Sequence, residues 1–413
     1  MKIVHIQKHL PTSGNAAYRL HSAFLDAGID SYMLSLSSDL SGNKRIKALH
    51  EAYQLITWID SKIVKYLMRK ANSKFGLFSY PVLGIPLSKR KFIKDADVIY
   101  LHWINGGFLN FSIIENLAKL NKPIIFFMHD MWTITGGCHH SFDCKRYTIG
   151  CGFCPIFNEK KEKDLSKKEF DKKLKLYSKY ENLFFVSPSQ WLYDCAQDSL
   201  LTKKKPVYYI PNVLDTTIFK PFDKKVARQI LNLNPDEIII AFGAVTVNSP
   251  YKGWPYLQKA LQILKNENYN LSVLIFGSSY SKEVDDSIPF KTKFMGYLKD
   301  DYSTLLVYNA ADVFIAPSLA ETFGYVIMES LYCGTPVVSF NVGGVPDLVK
   351  HKVNGYLSKY RDVDDLATGI KFCIENKIDA KPLPGFETQQ TVGRHLELLH
   401  TITKSKTGLA NNL

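Results

Sequence analysis

The sequence has no long apolar run, and this absence limits how the protein can meet a membrane. No uninterrupted apolar stretch approaches about 18 residues, so no membrane-spanning helix is predicted. The N-terminal segment MKIVHIQKHL alternates like a strand and contains neither an apolar signal core nor a small-residue cleavage site. We therefore expect a cytoplasmic protein that can touch the inner face of a membrane without crossing it.

Two further motifs are missing, and each absence disfavours a class of function. No G-x-G-x-x-G with a downstream acidic residue occurs, which disfavours a Rossmann-type oxidoreductase. No nucleic-acid recognition motif accompanies the formal charge of +13, so we predict no nucleic-acid partner. The excess of 52 Lys and Arg over 39 Asp and Glu instead indicates another anionic partner, such as a phosphorylated substrate or an acidic membrane surface.

What the chain does have is two series of alternating strand and helix patterns. Buried-strand patterns occur at 2–6, 98–102, 124–129 and 183–186, and again at 237–243, 271–277, 312–316 and 335–340. Longer helical patterns separate them, which is the βαβ signature of parallel sheets. A chain of 413 residues is too long for one ordinary core. We therefore predict an α/β protein with two Rossmann-like doubly wound domains, divided where Pro211 and Pro221 break regular structure.

Glycines precede several of the predicted helices. Lys252-Gly253, Glu321-Thr322-Phe323-Gly324 and Gly343-Gly344 do so in the second half, and Gly14 does so in the first. Ligands of open α/β sheets bind beyond the carboxyl ends of the strands, where helix N-termini and backbone amides attract anions. Three such helix starts in one domain predict a ligand that carries a diphosphate. A solvated Lys252 and a simple turn at Gly14 stay open as alternatives.

The segment from Pro317 to Leu357, PSLAETFGYVIMESLYCGTPVVSFNVGGVPDLVKHKVNGYL, resembles a known family. It is similar to the nucleotide-sugar-binding core of retaining GT-B glycosyltransferases of the sucrose-synthase-like group, glycosyltransferase family 4. The mark of that family is a glutamate, seven residues and a second glutamate, here Glu321 and Glu329. SGNAAYRL near the start, IPNVLDTTIF, YKGWPYL and FETQQTVGRHLELL near the end extend the resemblance along the chain.

The resemblance implies a GT-B fold, in which two Rossmann-like domains face a cleft and a C-terminal helix crosses back to the first domain. We accordingly expect an acceptor-side domain at 1–208 with a Cys-rich insertion at 136–155. A nucleotide-sugar-binding domain is expected at 209–386, followed by the returning helix and tail at 387–413.

The resemblance also implies roles for individual residues. Glu321 would face the donor sugar and its diphosphate, Glu329 the ribose hydroxyls, and Lys252 the diphosphate. Backbone at Gly14, Thr322, Phe323 and Gly324 would assist, the base would lie near Leu298, and His129 would face the sugar from the first domain. For His129 an ordinary core histidine stays open as the alternative. Ala244 replaces an arginine that many relatives place at the diphosphate, so another donor, for example from TVNS at 246–249, would have to compensate.

The implied activity is transfer of a sugar from a nucleoside-diphosphate sugar to a saccharide or lipid-linked saccharide acceptor, with retention at the anomeric carbon. We expect it to serve synthesis of a capsule, exopolysaccharide or O-antigen. Glu321, His129 and Lys252 would be the catalytic residues, and no cofactor is expected for catalysis. A GT-B sugar-nucleotide epimerase, or another nucleotide-binding Rossmann enzyme, is the alternative.

Two segments of the first half have open interpretations. GGCHHSFDCKRYTIGCGFCP holds Cys138, Cys144, Cys151 and Cys154, which fit a structural zinc site, free buried thiols or a disulfide. His139 or His140 could replace one thiol, and the resemblance implies that this segment, which follows His129-Asp130, borders the acceptor side. The lysine-rich segment 158–179 is typical of a solvated helix face or of a patch that docks on an anionic membrane.

Overall fold

The computed structural model describes residues 1–11, 15–40, 42–72, 76–244 and 249–410, with side chains through Lys404. The chain divides into two compact units. The first comprises Met1–Val213 together with Thr388–Leu413, and the second comprises Leu214–Glu387. Each unit is built around one parallel β-sheet.

The sheet of the first unit has seven strands in the order β3-β2-β1-β4-β5-β6-β7, all parallel. The strands are β1 (Lys2–Leu10), β2 (Asp30–Ser38), β3 (Ile46–Ala48), β4 (Val98–Leu101), β5 (Ile124–Phe127), β6 (Leu183–Ser187) and β7 (Val207–Tyr209). The central strands β4 and β5, VIYL and IIFF, are buried along their whole length. Helices cover both faces of such a sheet, which is why these strands are continuous apolar runs rather than alternating ones.

Within the described residues of this unit, six α-helices connect these strands. They are α1 (Ala16–Asp26), α2 (Gln54–Leu67), α3 (Lys91–Lys94), α4 (Phe111–Ala118), α5 (Leu165–Lys179) and α6 (Gln190–Asp198). Four of the helices begin with a side chain that accepts a hydrogen bond from the first turn, namely Asn15, Asn110, Asp164 and Ser189. These caps satisfy amide groups that would otherwise lack partners at the helix start.

The second unit has a six-stranded parallel sheet in the order β10-β9-β8-β11-β12-β13. The strands are β8 (Ile238–Gly243), β9 (Leu271–Phe276), β10 (Lys291–Phe294), β11 (Val313–Ala316), β12 (Val337–Phe340) and β13 (Gly355–Ser358). The helices are α7 (Lys224–Ile230), α8 (Trp254–Leu264), α9 (Lys282–Asp286), α10 (Asp301–Ala310), α11 (Tyr325–Tyr332), α12 (Val345–Leu348) and α13 (Val363–Glu375). The strand order reverses between β8 and β11, which is where ligands bind in doubly wound sheets.

The last helix, α14 (Thr388–Ala410), belongs to the first unit although it follows the second in sequence. Leu398, Leu399 and Ile402 on this helix share a buried apolar cluster with Leu20 and Phe24 of α1. The predicted pair of doubly wound parallel α/β domains is confirmed. No helix in the described ranges is long and apolar enough to cross a membrane.

Candidate functional site

Three loops of the second unit meet at the carboxyl ends of β8, β11 and β12. These strands are neighbours in the sheet, so the segments that follow them lie side by side. The backbone N–H of Leu319 donates to the carbonyl of Tyr251 at 2.6 Å, and the N–H of Gly344 donates to the carbonyl of Glu321 at 3.1 Å. The three predicted glycine-containing helix starts are therefore joined by backbone contacts into one surface.

Two of the glycines are required by this close approach. Gly253 and Gly343 have positive φ angles of 65° and 56°, a region that glycine occupies without strain. A Cβ atom on Gly253 would lie 1.8 Å from the carbonyl oxygen of Pro317, and one on Gly343 would lie 1.9 Å from that of Glu321. Any larger residue would push the loops apart.

Lys252 and Glu321 form an ion pair within this surface. Lys252 Nζ lies 3.1 Å from Glu321 Oε2, and the two side chains are 33% and 17% exposed. The hydroxyl of Ser318 donates to the same carboxylate oxygen at 3.5 Å. The two residues predicted at the diphosphate thus lie together, with the ammonium group accessible to a ligand.

Glu329 lies on α11 and is only 5% exposed. Its Oε2 accepts a hydrogen bond of 2.9 Å from the hydroxyl of Tyr308, which is completely buried on α10. The sequence assigns Glu329 only to the ribose hydroxyls and does not reveal Tyr308, which holds one of its oxygens. The ribose-binding role of Glu329 stays a prediction.

The other predicted donor-site residues have diverse environments. Thr322 is 4% exposed, and its hydroxyl has no hydrogen-bond partner among the described residues. Gly324, with φ of 100°, directly precedes α11. Phe323 is buried against Phe386, whereas Leu298 is a partly buried neighbour of the same apolar cluster. The hydroxyl of Thr322 is therefore a buried polar group that the described residues leave unsatisfied.

Two predictions concern residues at or beyond the edges of the described ranges. Gly14 lies outside them, so its role stays a prediction. Ala244 is buried at the end of β8, and its N–H donates to the carbonyl of Phe276. Most of the TVNS segment expected to replace the missing arginine also lies outside the described residues.

In the first unit, His129 follows β5 by two residues. Its Nε2 is hydrogen-bonded to Nδ1 of His102 at 2.8 Å. Burial lowers the pKa of His129 to about 4, although the carboxylate of Asp130 opposes this shift. His129 is therefore neutral at physiological pH. Sequence reasoning missed His102, whose only signal is its position at the end of another strand of the same sheet.

Asp130 organises the segment after His129. Its Oδ1 accepts from the backbone N–H of Trp132 at 2.7 Å, and its Oδ2 lies 2.6 Å from Nδ1 of His139. The other ring nitrogen of His139 is bonded to Ser79 at 2.8 Å. Both nitrogens of His139 are thus engaged, which leaves none to replace a thiol as a metal ligand.

The four clustered cysteines line one small cavity, together with Thr135, Tyr147 and Ser166. All four are free thiols, so the disulfide interpretation is not supported. Burial raises the pKa of Cys138, Cys151 and Cys154 to about 12, so the thiols are protonated unless a cation binds. No group of three or more His, Cys, Asp or Glu side chains that could hold a metal ion is found in the described part of the chain. Structural zinc stays a prediction.

The lysine-rich segment 158–179 includes α5, in which one lysine differs from the others. Lys168, Lys172, Lys175 and Lys179 are exposed. Lys173 is completely buried, and its ammonium group donates to the carbonyl oxygens of Trp132 and, at 3.0 Å, Thr135. The solvated-face interpretation therefore holds for part of the helix, while Lys173 anchors the segment that follows Asp130.

The second unit is similar to a known protein family. Residues 223–384 match the family model of Glycosyl transferases group 1. A D-inositol 3-phosphate glycosyltransferase of Segniliparus rotundus is 32% identical over 157 residues, which are 36% of this chain and 34% of that protein. The chain spans less than half the length of the curated relatives that it matches.

Solved structures resemble the whole chain in fold. Anabaena HepE in complex with UDP-glucose has a TM-score of 0.59 at 17% identity, over 100% of both chains. WaaG, a glycosyltransferase involved in lipopolysaccharide biosynthesis, has a TM-score of 0.58 at 11% identity, over 91% of this chain and 90% of its own. Residues 223–384 therefore match the Glycosyl transferases group 1 model, in a chain whose two parallel-sheet α/β units give it the GT-B fold.

Proposed function

We propose that the protein is a retaining glycosyltransferase that moves a hexose-type sugar from a nucleoside-diphosphate sugar to a saccharide or lipid-linked saccharide acceptor. The observation that carries this proposal is the surface where three glycine-containing loops meet around Lys252 and Glu321. Such a surface offers a cation, backbone amides and a helix start to a diphosphate. The UDP-glucose bound by the structurally similar HepE supports a donor of this class.

Stabilisation of the leaving diphosphate would supply much of the catalysis. As the bond to the sugar breaks, negative charge grows on the diphosphate, and a preorganised cation stabilises this charge more than it stabilises the ground state. Lys252 would exchange its ion pair with Glu321 for the diphosphate, which would leave the Glu321 carboxylate to face the sugar. Glu329 would hold the ribose, while Tyr308 keeps its carboxylate oriented.

The first unit would supply the acceptor side. His129 would contact the donor sugar, and the segment with the four cysteines, which follows His129 closely, would shape acceptor choice. No cofactor is needed for the transfer step, because Lys252 and the backbone amides take the role of a metal at the diphosphate. We propose that zinc, if bound by Cys138, Cys144, Cys151 and Cys154, is structural.

We further propose that the product is a surface glycan and that the enzyme works in the cytoplasm, at the inner face of the membrane. The exposed lysines of α5 and the charge of +13 would favour an anionic membrane surface or a pyrophosphate-linked acceptor. The similarity in fold to WaaG supports a glycan pathway. The S. rotundus relative, named for D-inositol 3-phosphate, favours a small phosphorylated acceptor as the second candidate.

Thermal-shift screening against a panel of nucleoside-diphosphate sugars tests the donor class. We expect at least one of them to raise the melting temperature of the wild-type protein, and to raise it less in Lys252→Ala. A shift with NAD but with none of the sugar nucleotides would contradict the proposal. Turnover of the stabilising donor with and without acceptor then separates transfer from epimerisation, because an epimerase converts the donor without an acceptor.

A further inference from the structure

Three histidines of the first unit form one continuous hydrogen-bonded chain. His5 lies in β1, His102 directly follows β4, and His129 follows β5, and these strands are neighbours in the sheet. Nε2 of His129 is 2.8 Å from Nδ1 of His102, and Nε2 of His102 is 2.9 Å from Nδ1 of His5. Successive rings are inclined by only 23° and 27°, so each N–H can point close to the plane of the next ring.

The hydrogen-bonded series of histidines runs inward from His129 into the core. His5 is completely buried and stacks on Tyr100, while His102 is 7% exposed and stacks on Phe127. Nε2 of His5, at the inner end, has no hydrogen-bond partner among the described residues. Burial lowers the pKa of His5 and His102 well below the ordinary value and that of His129 to about 4. All three rings are therefore neutral at physiological pH, and each carries one N–H.

Only two proton arrangements satisfy both contacts between three neutral rings. In one, every ring carries its proton on Nδ1, so His5 donates to His102, His102 donates to His129, and Nε2 of His5 is a bare lone pair. In the other, every ring carries its proton on Nε2, and the innermost N–H of His5 points into the core without an acceptor. An orphaned buried N–H is rarer in proteins than an under-satisfied acceptor, which favours the first arrangement.

We propose that His102 and His5 are positioning residues that hold His129 as its Nδ1–H tautomer, so that this nitrogen donates a hydrogen bond to an oxygen of the donor sugar. His129 would then act through a fixed N–H and not as a base at that nitrogen. The identity of the acceptor oxygen rests on the proposed function. The tautomer does not, because it follows from contacts within the first unit.

The tautomer can be measured without any substrate. Long-range ¹H–¹⁵N spectra of the ¹⁵N-histidine-labelled full-length protein at neutral pH distinguish the two forms, and His129→Gln assigns the signal. We expect His129 to be protonated on Nδ1 in the wild type. In His102→Phe, Nε2 of His129 loses its donor, and the ring should shift to the Nε2–H form that free histidine prefers. Nε2 protonation in the wild type would overturn the proposal.

Two further variants test whether the tautomer preference of His129 passes along the hydrogen-bonded histidines, which we call the relay, or follows from a change in packing. His102→Asn places an amide nitrogen near the position of Nδ1, so it should restore the wild-type tautomer of His129. His5→Phe does not touch His129, yet it should also shift His129 toward Nε2–H, because the preference passes through His102. His21 provides the control, because it is a buried neighbour that is bonded to Ser31 and does not belong to the hydrogen-bonded series of three histidines. A shift of His129 in His21→Asn, or none in His5→Phe, would overturn the relay.

Turnover supplies the link to the proposed function. UDP-glucose is the probe. If His102→Phe removes a hydrogen bond that is made in the transition state, kcat should fall about tenfold or more while KM changes little. His102→Asn should recover most of the lost kcat. An equal kcat for His102→Phe and wild type would overturn the link to the donor sugar. Failure of the wild type to bind or turn over any sugar nucleotide would instead count against the proposed function, and the spectra would still decide the tautomer.

Discussion

The hydroxyl of Tyr308 donates a 2.9 Å hydrogen bond to Oε2 of Glu329, and both side chains are buried between α10 and α11. A carboxylate inside an apolar helix is costly unless a polar group pairs with it. Tyr308 provides that group and also fixes the rotation of the carboxylate. The pair therefore holds a buried carboxylate in an orientation that is set within the protein.

We expect Glu329→Ala to weaken the binding of UDP. A hydrogen bond to a charged group contributes about 1.5–3 kcal/mol, so the dissociation constant should rise about 10- to 150-fold. Isothermal titration calorimetry measures the affinity, and circular dichroism verifies the fold. Tyr308→Phe keeps the carboxylate but removes its orienting hydroxyl, so it should cost less affinity. Equal UDP affinities of Glu329→Ala and wild type would refute the ribose role.

Removal of the ammonium group of Lys252 should affect the diphosphate and not the nucleoside. In Lys252→Met we expect UDP to bind about 10- to 150-fold more weakly, because a charge-assisted contact is lost, while uridine binds as it does to the wild type. Lys259, which is exposed on α8, provides the matched control, and Lys259→Met should bind both ligands normally. Parallel weakening of uridine would show that the substitution disturbs more than the diphosphate contact.

The central strands of both sheets could be predicted from sequence because they are buried on both faces and therefore form continuous apolar runs. Five strands were missed, β2, β3, β7, β10 and β13, and all of them lie at or next to a sheet edge. β2 and β10 contain polar residues at buried or partly buried positions, such as Ser31 and Thr292. β3 and β7 are only three residues long. In such strands neither alternation nor length distinguishes a strand from a loop.

The residues of the candidate site also divide into those that the sequence could predict and those that it could not. Lys252, Glu321 and the glycines could be found because each lies in a short motif whose spacing carries the chemistry. Tyr308 and His102 could not, because they reach Glu329 and His129 across the fold and belong to no motif. Their contacts depend on which strands and helices become neighbours. A local pattern does not contain that information.

Gly343→Ala should destabilise the second unit and displace Glu321. The added Cβ would meet the Glu321 carbonyl oxygen at 1.9 Å, and the backbone would also be strained at a φ of 56°. Gly296→Ala is the matched control, because its φ is 66° but its Cβ would meet nothing within 4 Å. We expect Gly296→Ala to cost about 1 kcal/mol of unfolding free energy and Gly343→Ala clearly more, by chemical denaturation. Equal losses of unfolding free energy in the two variants would mean that the loops can move apart around the added Cβ at little cost.

The zinc interpretation of the cysteine cavity predicts how much metal the purified protein contains. If zinc is structural, protein purified under reducing conditions should contain about one zinc ion per chain by mass spectrometry, as for a tetrahedral thiolate site. Cys151→Ser should lose that ion and melt at a lower temperature. Cys195→Ser, a partly buried thiol outside the cluster, should retain it. Metal-free wild-type protein with four titratable thiols in this cavity would establish the free-thiol interpretation instead.

As the pH falls, the first unit should begin to lose free energy of unfolding at a higher pH than the second unit. Burial lowers the pKa of His21 to about 4 and that of His395 to about 3, so both are neutral when folded and gain protons on unfolding below their ordinary value of 6.5. Their contribution is fully present above pH 6.5 and is lost as the pH falls toward these folded values, by about 1.4 kcal/mol per pH unit for each histidine. His351, which is exposed, is the one histidine of the second unit.

Hydrogen exchange, corrected for the intrinsic pH dependence of the amide rates, can follow the two units separately. Between pH 6.5 and 4, core amides of β1 and β4 should lose protection faster than those of β8 and β11. Replacement of one buried imidazole, in His21→Asn, should reduce the slope for the first unit by about 1.4 kcal/mol per pH unit. Equal slopes in the two units would mean that carboxylate protonation, and not the buried histidines, governs the loss of stability in acid.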